Sequence, residues 1–542
     1  MKQIHFLNNN KNNLDSIQTI TNKTMKKKYK IHREKISKEL SHKRIAMISE
    51  PIEINNNIKF KESDFSADFK QKNKNIFNLN LNDLINLNYN NLELKFYFFS
   101  LRKISMKGES INLILENVSN EKISFFFKIL FDENVNDLTI EEFLKFKYEI
   151  LIILINLNVD CEDFNEIFIK NSQNIFNFIN KIINNINIEN NPYLIILYHL
   201  IWLFGNIIND DEIFEIITKN ENIKIPFLIK NIFDLKIFKI LKPTFELFFT
   251  FLTRIENQNF IIENKFFIEY FSKIIQFSLN EFQINLLSIV FQTLNLFLEK
   301  KQIVDFILTN FDKFKNLIEI IFNCFKIYTK SQCCLINILK HDENFFVFNQ
   351  YENLIFHNFV LNCISNNENN NDLKLIKHAI KILTILIDSE KILNILINKE
   401  NEFKLFGNLN RIFIQFNNFS LIFTIFSFYD KIFEKGNLFL KKTLIDKNLH
   451  IFCIEELQKI IDIDSKNKNK YIDKITFIIL SILKKTLLFS NEIEITSNPI
   501  KDDLEQRGFF DFLLKLQQNK NSFIYDLAID ILENFYEGDF NY

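Results

Sequence analysis

Glycine, proline and tryptophan are scarce in this sequence. The 542 residues include six glycines, five prolines and one tryptophan. Turns that depend on glycine or proline, and glycine-rich loops that hold phosphate groups, therefore have few places to form. No HExxH or GxSxG motif is present either. We expect long regular elements with short connections, and we do not expect an enzyme.

An excess of charge of one sign is also lacking. The chain has 66 basic and 67 acidic side chains, a net charge of −1, so it has no global field to attract nucleic acid or a membrane surface. Its apolar runs are interrupted by Asn, Lys and Glu, and the N-terminus has no apolar stretch of signal-peptide length. Neither a membrane nor direct nucleic acid is expected as a partner.

Metal-ligand spacing is absent from the six cysteines, which are scattered along the chain. The eight histidines do not cluster beside them. Neither a metal nor any other cofactor is expected. The cysteines are interpreted as reduced thiols of a cytosolic or nuclear protein.

What is present begins with a polar segment, residues 1–75, rich in Lys and Asn. Its composition is typical of a mostly disordered arm. One helix is predicted inside it, from Met25 to Ile48, because that stretch lacks Gly and Pro and is stopped by Pro51. Nine Lys or Arg residues outnumber Glu34 and Glu39 there. This arm is expected to be the only strongly basic patch of the chain.

From about Asn80 onward, apolar residues recur at three- and four-residue steps, which predicts helices almost throughout. The most apolar helix of each block can be aligned on a position that often holds Asn. This position falls at Asn156, Asn206, Phe251, Asn295, Asn337, Thr384 and Ser427. The successive steps are 50, 45, 44, 42, 47 and 43 residues. A period in the forties made of helices is typical of armadillo or HEAT repeats.

We therefore predict an all-α fold, a right-handed armadillo-repeat superhelix (α-solenoid), preceded by a partly disordered basic arm. An elongated array is favoured because a single compact core rarely grows to this length. Three parts are expected: the arm and linker at residues 1–75, the repeat array at 76–490, and a polar insert with a C-terminal capping repeat at 491–542.

The stretch YHLIWLFGNIINDD contains Trp202, Gly205, Asn206 and Asp210. Trp202 and Asn206 are four residues apart and share a helix face. An indole can pack the stem of a Lys or Arg and offer a cation–π contact, and an Asn amide can bond an extended peptide backbone. This pattern resembles the third helix of an importin-α repeat. The alternative is a core tryptophan beside a satisfied amide.

Two further stretches carry the same resemblance. The arm sequence IHREKISKELSHKR resembles the importin-β-binding helix of importin-α, with a solvated run of charge as the alternative. The C-terminus from Leu504 to Gly538 resembles the family's terminal repeat. Its matching residues are Glu505, Gly508, Ile524, Tyr525, Leu527, Ala528 and Phe535. That element caps a solenoid and does not bind cargo.

The resemblance implies a nuclear import adaptor that binds Lys/Arg-rich nuclear localisation signals as extended peptides in a concave groove. The implied cargo-binding residues are Asn156, Trp202, Asn206, Asp210, Asn295 and Asn337. The arm residues implied to bind importin-β are Arg33, Lys35, Lys38, Leu40, Lys43 and Arg44. Importin-β, signal-bearing cargo proteins and a nuclear export receptor are the implied partners. Shuttling between cytoplasm and nucleus through the nuclear pore is the implied localisation.

The chain also departs from the family. Where the pattern has Trp, most repeats carry another residue: Ile152, Leu247, Phe291 and Cys333. In the arm, Ser49, Glu50 and Pro51 replace a second basic cluster that inhibits the empty adaptor in the family. Weaker or altered cargo binding is expected. An armadillo-repeat scaffold that binds a partner other than a localisation signal stays open as an alternative.

Overall fold

A computed structural model of the chain describes most residues from Lys59 onward. The described ranges are 59, 61–72, 81–86, 92–105, 118–132, 139–160, 165–185, 193–220, 222–235, 237, 240–254, 259–280, 284–324, 329–352, 355–356, 359–360, 362–365, 373–389, 392–394, 396, 405–416, 418–464, 471–493 and 498–536. Within them the backbone forms helices and no strand. The expected all-α class is confirmed.

The chain packs as two compact units that divide between Gln258 and Asn259. In unit 1 the described helices are α1 (Ala67–Lys72), α2 (Leu81–Asn86), α3 (Leu92–Ser105), α4 (Asn120–Phe131), α5 (Ile140–Asp160), α6 (Asn165–Asn185), α7 (Tyr193–Ile207), α8 (Asp211–Lys219), α9 (Ile225–Asp234) and α10 (Leu241–Arg254).

In unit 2 the described helices are α11 (Asn259–Glu263), α12 (Phe267–Asn280), α13 (Ile284–Leu298), α14 (Lys301–Thr309), α15 (Phe311–Cys324), α16 (Thr329–His341), α17 (Phe346–Glu352), α18 (Asn362–Ser365), α19 (Leu373–Leu386), α20 (Leu405–Phe416), α21 (Phe419–Lys435), α22 (Leu438–Asp446), α23 (Leu449–Asp464), α24 (Ile472–Ile493), α25 (Pro499–Gln506), α26 (Phe509–Leu516) and α27 (Ser522–Tyr536).

Asparagine, so frequent in this sequence, begins several of these helices. Asn418 accepts hydrogen bonds from the backbone N–H groups of Ser420 and Leu421 before α21. Asn437 and Asn498 cap α22 and α25 in the same way. The first N–H groups of a helix have no partner within the helix, and an Asn side chain supplies one. Asparagine therefore stabilises the starts of these three helices.

One helix of each repeat packs against the equivalent helix of the next. In the described part of unit 1, α3, α5, α7 and α10 lie side by side in that order, and we call them the first row. In unit 2 a second row of helices lies side by side in the same manner: α13, α16, α19, α21, α24 and α27. Many of the remaining helices pack against a row helix. Each repeat thus packs on its neighbours, which is the construction of an α-solenoid.

Hydrogen bonds between neighbouring row helices show the repeat period directly. Arg254 donates to Asn209, 45 residues earlier, and Asn337 donates to Asn295, 42 residues earlier. Lys377 donates to Ser420, 43 residues later. These separations equal three of the steps predicted from the sequence. Other pairs differ from the predicted step by one residue, such as Cys334 with Phe291 at 43 and His378 with Gln332 at 46.

The first row also contains a buried ion pair. The guanidinium of Arg102 on α3 donates to the carboxylate of Glu149 on α5, and both side chains are buried. Lys95 pairs with Glu142 between the same two helices at 2.8 Å. Removing one partner of a buried pair leaves an uncompensated charge, so these contacts fix how α3 and α5 align.

Buried Lys147 connects α5 to the end of α4. Its Nζ donates to the carbonyl oxygens of Leu130 and Asp132, the latter at 2.8 Å. The ammonium also lies 4.4 Å from the ring centre of Phe143. The last carbonyls of a helix lack partners in the helix and carry partial negative charge, so a lysine there is well placed.

Candidate functional site

The single tryptophan lies on the first row within a group of aromatic side chains. Trp202 on α7 is half-buried. The ring centre of Tyr198 is 6.2 Å away in an edge-on arrangement, and that of His199 is 6.2 Å away and stacked. Tyr148 on α5 contacts His199 edge-on at 5.2 Å. The spacing of these residues on two adjacent row helices brings them to one place.

One helical turn after Trp202, Asn206 has an unsatisfied amide. Its side chain is 7% exposed, and Nδ2 has no hydrogen-bond partner. A buried donor without a partner costs free energy, and native structures contain few of them. The equivalent amide in the previous repeat is satisfied, because Asn156 Nδ2 donates to Ser105 Oγ at 3.0 Å. The chain itself therefore leaves this donor without a partner, and the atom is buried.

The charges around this aromatic group favour a cation. Burial raises the pKa of Tyr198, and the nearby negative charge of Glu246 on α10 raises it further. Burial lowers the pKa of His199 to about 4, opposed by its hydrogen bond to the Ile195 carbonyl. At neutral pH the imidazole is therefore uncharged, and Glu246 supplies negative charge beside the rings.

Sequence reasoning found Trp202 and Asn206 but missed Tyr148, Tyr198, His199 and Glu246. Helical spacing within α7 could have indicated Tyr198 and His199, since they precede Trp202 by one turn. Tyr148 and Glu246 come from neighbouring repeats. Their approach depends on how the row helices align, which the sequence pattern does not give.

Asp210 has a local structural role in this arrangement. Its Oδ1 accepts the backbone N–H of Ile213 at 3.1 Å and so caps the start of α8. Beside it, Arg254 donates to the carbonyl and side chain of Asn209. The role of Asp210 in pairing with a cargo lysine stays a prediction.

The other two predicted asparagines lie together in the second row. Asn337 Nδ2 donates to Asn295 Oδ1 at 3.0 Å, and Asn295 Nδ2 donates to Glu299 at 3.1 Å. Both side chains are partly exposed. Unlike Asn206, each of these amides already has a partner in the protein. Their contact with cargo stays a prediction.

Most of the residues that stand where the importin-α pattern has Trp are buried in the core. Ile152, Leu247 and Phe291 are buried. Cys333 is half-buried; burial raises the pKa of its thiol, while Lys330 and Lys381 lower it. Of the three equivalent positions in the first row, Ile152, Trp202 and Leu247, the one that is partly exposed is therefore Trp202.

The predicted importin-β-binding residues of the arm lie outside the described residues. They are Arg33, Lys35, Lys38, Leu40, Lys43 and Arg44. In the described ranges, His, Cys, Asp and Glu side chains do not gather in a group that could hold a metal ion. Among the helices described there, none is long and apolar enough to cross a membrane.

Helix rows with a repeat period in the forties place the chain in the class of all-helical repeat proteins. Neither a protein-family model nor a curated protein sequence matches it. Its structure is similar to a crystal structure of an engineered protein, with a TM-score of 0.55 and 11% identity over 82% of this chain and 95% of that one. At this identity the similarity shows the fold alone.

Two other similar structures have lower scores. One is a chain from a structure described as showing a conserved phosphorylation switch that controls the interaction between cadherin and beta-catenin. It has a TM-score of 0.49 and 10% identity, over 87% of this chain and 94% of that one. Importin beta has a TM-score of 0.40 and 10% identity, over 81% of this chain and 61% of its own.

Proposed function

We propose that this protein is a nuclear import adaptor that binds an extended, Lys/Arg-containing segment of its cargo at the first row. The observation that supports this most directly is the buried Asn206 amide without a partner. An extended peptide presents one carbonyl oxygen per residue. Once the Asn206 side chain rotates toward the peptide, such an oxygen would satisfy this donor without selecting a side chain.

The neighbouring aromatic group supplies the preference for a basic side chain. The stem of a Lys or Arg can pack on Trp202, and its charge can interact with the rings of Trp202 and Tyr198. Glu246 adds a negative charge next to Tyr198. An acidic or purely apolar side chain would gain neither contact.

The second half of the proposal concerns the arm. Residues 26–44 carry nine Lys or Arg residues, and a basic helix gains salt-sensitive contacts from an acidic partner. We assign importin-β as that partner. A nuclear export receptor would return the empty adaptor to the cytoplasm, so the protein would shuttle between cytoplasm and nucleus. Replacing Lys43 and Arg44 with Glu should weaken binding to purified importin-β, and unchanged binding would contradict the assignment.

Peptide binding at Trp202 and Asn206 is tested by fluorescence polarisation with a labelled Lys/Arg-rich signal peptide and the full chain. Trp202→Ala and Asn206→Leu should each weaken binding about tenfold or more, since one removes a cation–π surface and the other a donor. Asn323→Leu is the matched control, because Asn323 is exposed on α15 outside the rows. It should leave affinity unchanged.

A scaffold that binds another kind of partner is the second candidate. The burial of Ile152, Leu247 and Phe291 favours it, because the surface for Lys stems is reduced to one tryptophan. If the folded wild-type protein does not bind the signal peptide, the adaptor proposal fails and the scaffold is supported.

A further inference from the structure

Three half-buried aromatic side chains contact one buried imidazole. Tyr148 comes from α5, and Tyr198 and Trp202 come from α7. Their ring centres lie 5.2, 5.2 and 6.2 Å from that of His199. The His199 side chain is 8% exposed. His199 is thus the inner member of an aromatic cluster, and the three outer members, which we call the aromatic rim, reach the surface.

The rings of the aromatic rim are steeply inclined to one another. The planes of Tyr198 and Trp202 make an angle of 89°. Tyr148 is inclined by 85° to His199, whereas Trp202 is inclined by 27°, so the planes of Tyr148 and Trp202 are also far from parallel. Parallel rings suit a flat ligand that stacks on them. Inclined rings suit a rounded cation, which contacts several rings at once.

The charges that act on the two tyrosines of the rim favour a cation. Burial raises the pKa of Tyr198, and the negative charge of Glu246 raises it further. Burial also raises the pKa of Tyr148, on which Arg102 and Glu149 act in opposite directions. Arg102 and Glu149 pair with each other. The remaining influence is that of Glu246, which is negative.

The hydrogen-bonding capacity of the cluster bears on which cation fits. An unmodified lysine ammonium has three N–H donors and is strongly hydrated, and ring faces replace those hydrogen bonds poorly. Nδ1 of His199 is already engaged with the Ile195 carbonyl at 2.8 Å. A trimethylated lysine keeps its positive charge, has no N–H donor, and presents methyl groups to the rings. It therefore loses less on leaving water.

We propose that the aromatic rim recognises a trimethylated lysine in the cargo segment and binds it more tightly than an unmodified lysine. This inference rests on the proposed function and adds to it the chemical class of one cargo side chain and a role for Tyr148. An arginine fits less well, because its planar guanidinium stacks on a single ring face.

The test is fluorescence polarisation with the full chain and a labelled Lys/Arg-rich signal peptide. The unmodified peptide is compared with versions that each carry trimethyl-lysine at a different lysine, so that every register is covered. At least one version should bind severalfold more tightly than the unmodified peptide. A neutral analogue with carbon in place of the quaternary nitrogen should lose this gain, because it keeps the shape and lacks the charge.

Variants of Tyr148 assign the gain to the aromatic rim. Tyr148→Leu should remove most of it while leaving affinity for the unmodified peptide nearly unchanged, since the ring contacts are lost and Trp202 and Asn206 are retained. Tyr148→Phe keeps the ring and should retain the gain. Tyr525→Leu is the matched control, because Tyr525 is 40% exposed on α27 in unit 2. It should also retain the gain.

The outcomes separate this inference from the proposed function. If the unmodified peptide binds and every trimethylated version binds equally or more weakly, the inference is overturned and the proposed function stands. A neutral analogue that binds as tightly as the trimethylated peptide also overturns the inference, since the gain is then apolar. If no version binds to the folded chain, both fail.

Discussion

At the scale of single residues, asparagine at one repeat position has two different hydrogen-bonding outcomes. Asn156 donates to Ser105, Asn337 donates to Asn295, and Asn206 has no partner for Nδ2. The residue type is the same and the helix position is equivalent. The difference comes from the neighbouring row helix, which offers an acceptor in two cases and none in the third.

This difference predicts that Asn206→Leu stabilises the protein while it weakens cargo binding. Leucine has a similar volume and removes the unsatisfied donor, so the free energy of unfolding should rise by about 1 kcal/mol. Urea unfolding of the full chain measures it. Asn337→Leu is the comparison and should be destabilising, since it leaves the Asn295 side chain without its donor. A loss of stability in Asn206→Leu would contradict the interpretation.

His199 predicts a pH dependence. Its pKa in the folded protein is about 4, below the unfolded value of about 6.5. Between these values the unfolded state binds more protons than the folded state. The contribution of His199 to the free energy of unfolding is therefore fully present above pH 6.5 and is lost as the pH falls toward 4. The contribution is of the order of 3 kcal/mol.

Thermal unfolding between pH 4 and 7 tests this for wild type and His199→Phe. The variant keeps the aromatic contact with Trp202 but has no group that titrates, so its stability should fall less over this range. Carboxylates titrate equally in both proteins. Parallel curves would show that His199 does not contribute.

Of the site, the sequence predicted Trp202 and Asn206. It missed Tyr198 and His199, although both lie on the same helix, α7. Trp202 and Asn206 follow from spacing within one helix. Glu246 is on another repeat, and so is Tyr148. The absence of a partner for Asn206 depends on packing between helices, which a pattern of residue types does not contain.

At the scale of helices, most of the fold was predictable because apolar spacing and the scarcity of Gly and Pro favour helices throughout. Individual glycines still differ. Gly205 lies inside α7, where an added Cβ would be 3.8 Å from Leu247, an ordinary contact distance. Gly508 precedes α26 with a φ of 75°, in the left-handed region that L side chains rarely adopt.

Alanine at these two glycines should therefore have opposite effects. Gly205→Ala should raise the free energy of unfolding by up to about 1 kcal/mol, since it reduces the freedom of the unfolded chain. Gly508→Ala should lower it by about 1 kcal/mol, although there is open space around the added methyl. Differential scanning calorimetry of both variants measures the sign. The same sign for both would contradict the backbone argument.

At the scale of the whole molecule, charge is distributed unevenly along the second row. Helices α16 and α19 carry five lysines and no carboxylate, whereas α27 carries three carboxylates and no lysine. The sequence indicated the arm as the only strongly basic patch. The uneven distribution along the row is concealed in the composition, because basic and acidic residues balance over the whole chain.

The division of the chain after Gln258 was not apparent in the sequence. Apolar spacing continues on both sides of that point, with a step of 44 residues between Phe251 and Asn295 that resembles the others. A break between units depends on which helices pack together, and a continuing repeat pattern conceals it. The arm, in contrast, was distinguished by composition alone.

The single tryptophan has a spectroscopic consequence. Indole emission of the entire 542-residue chain comes from one half-buried ring stacked near His199. A lysine that displaces water from this ring changes the wavelength of its emission, and a protonated imidazole beside it quenches the light. The protein thus carries an intrinsic optical reporter at the place where cargo is proposed to bind, and no dye is needed to follow that event in solution.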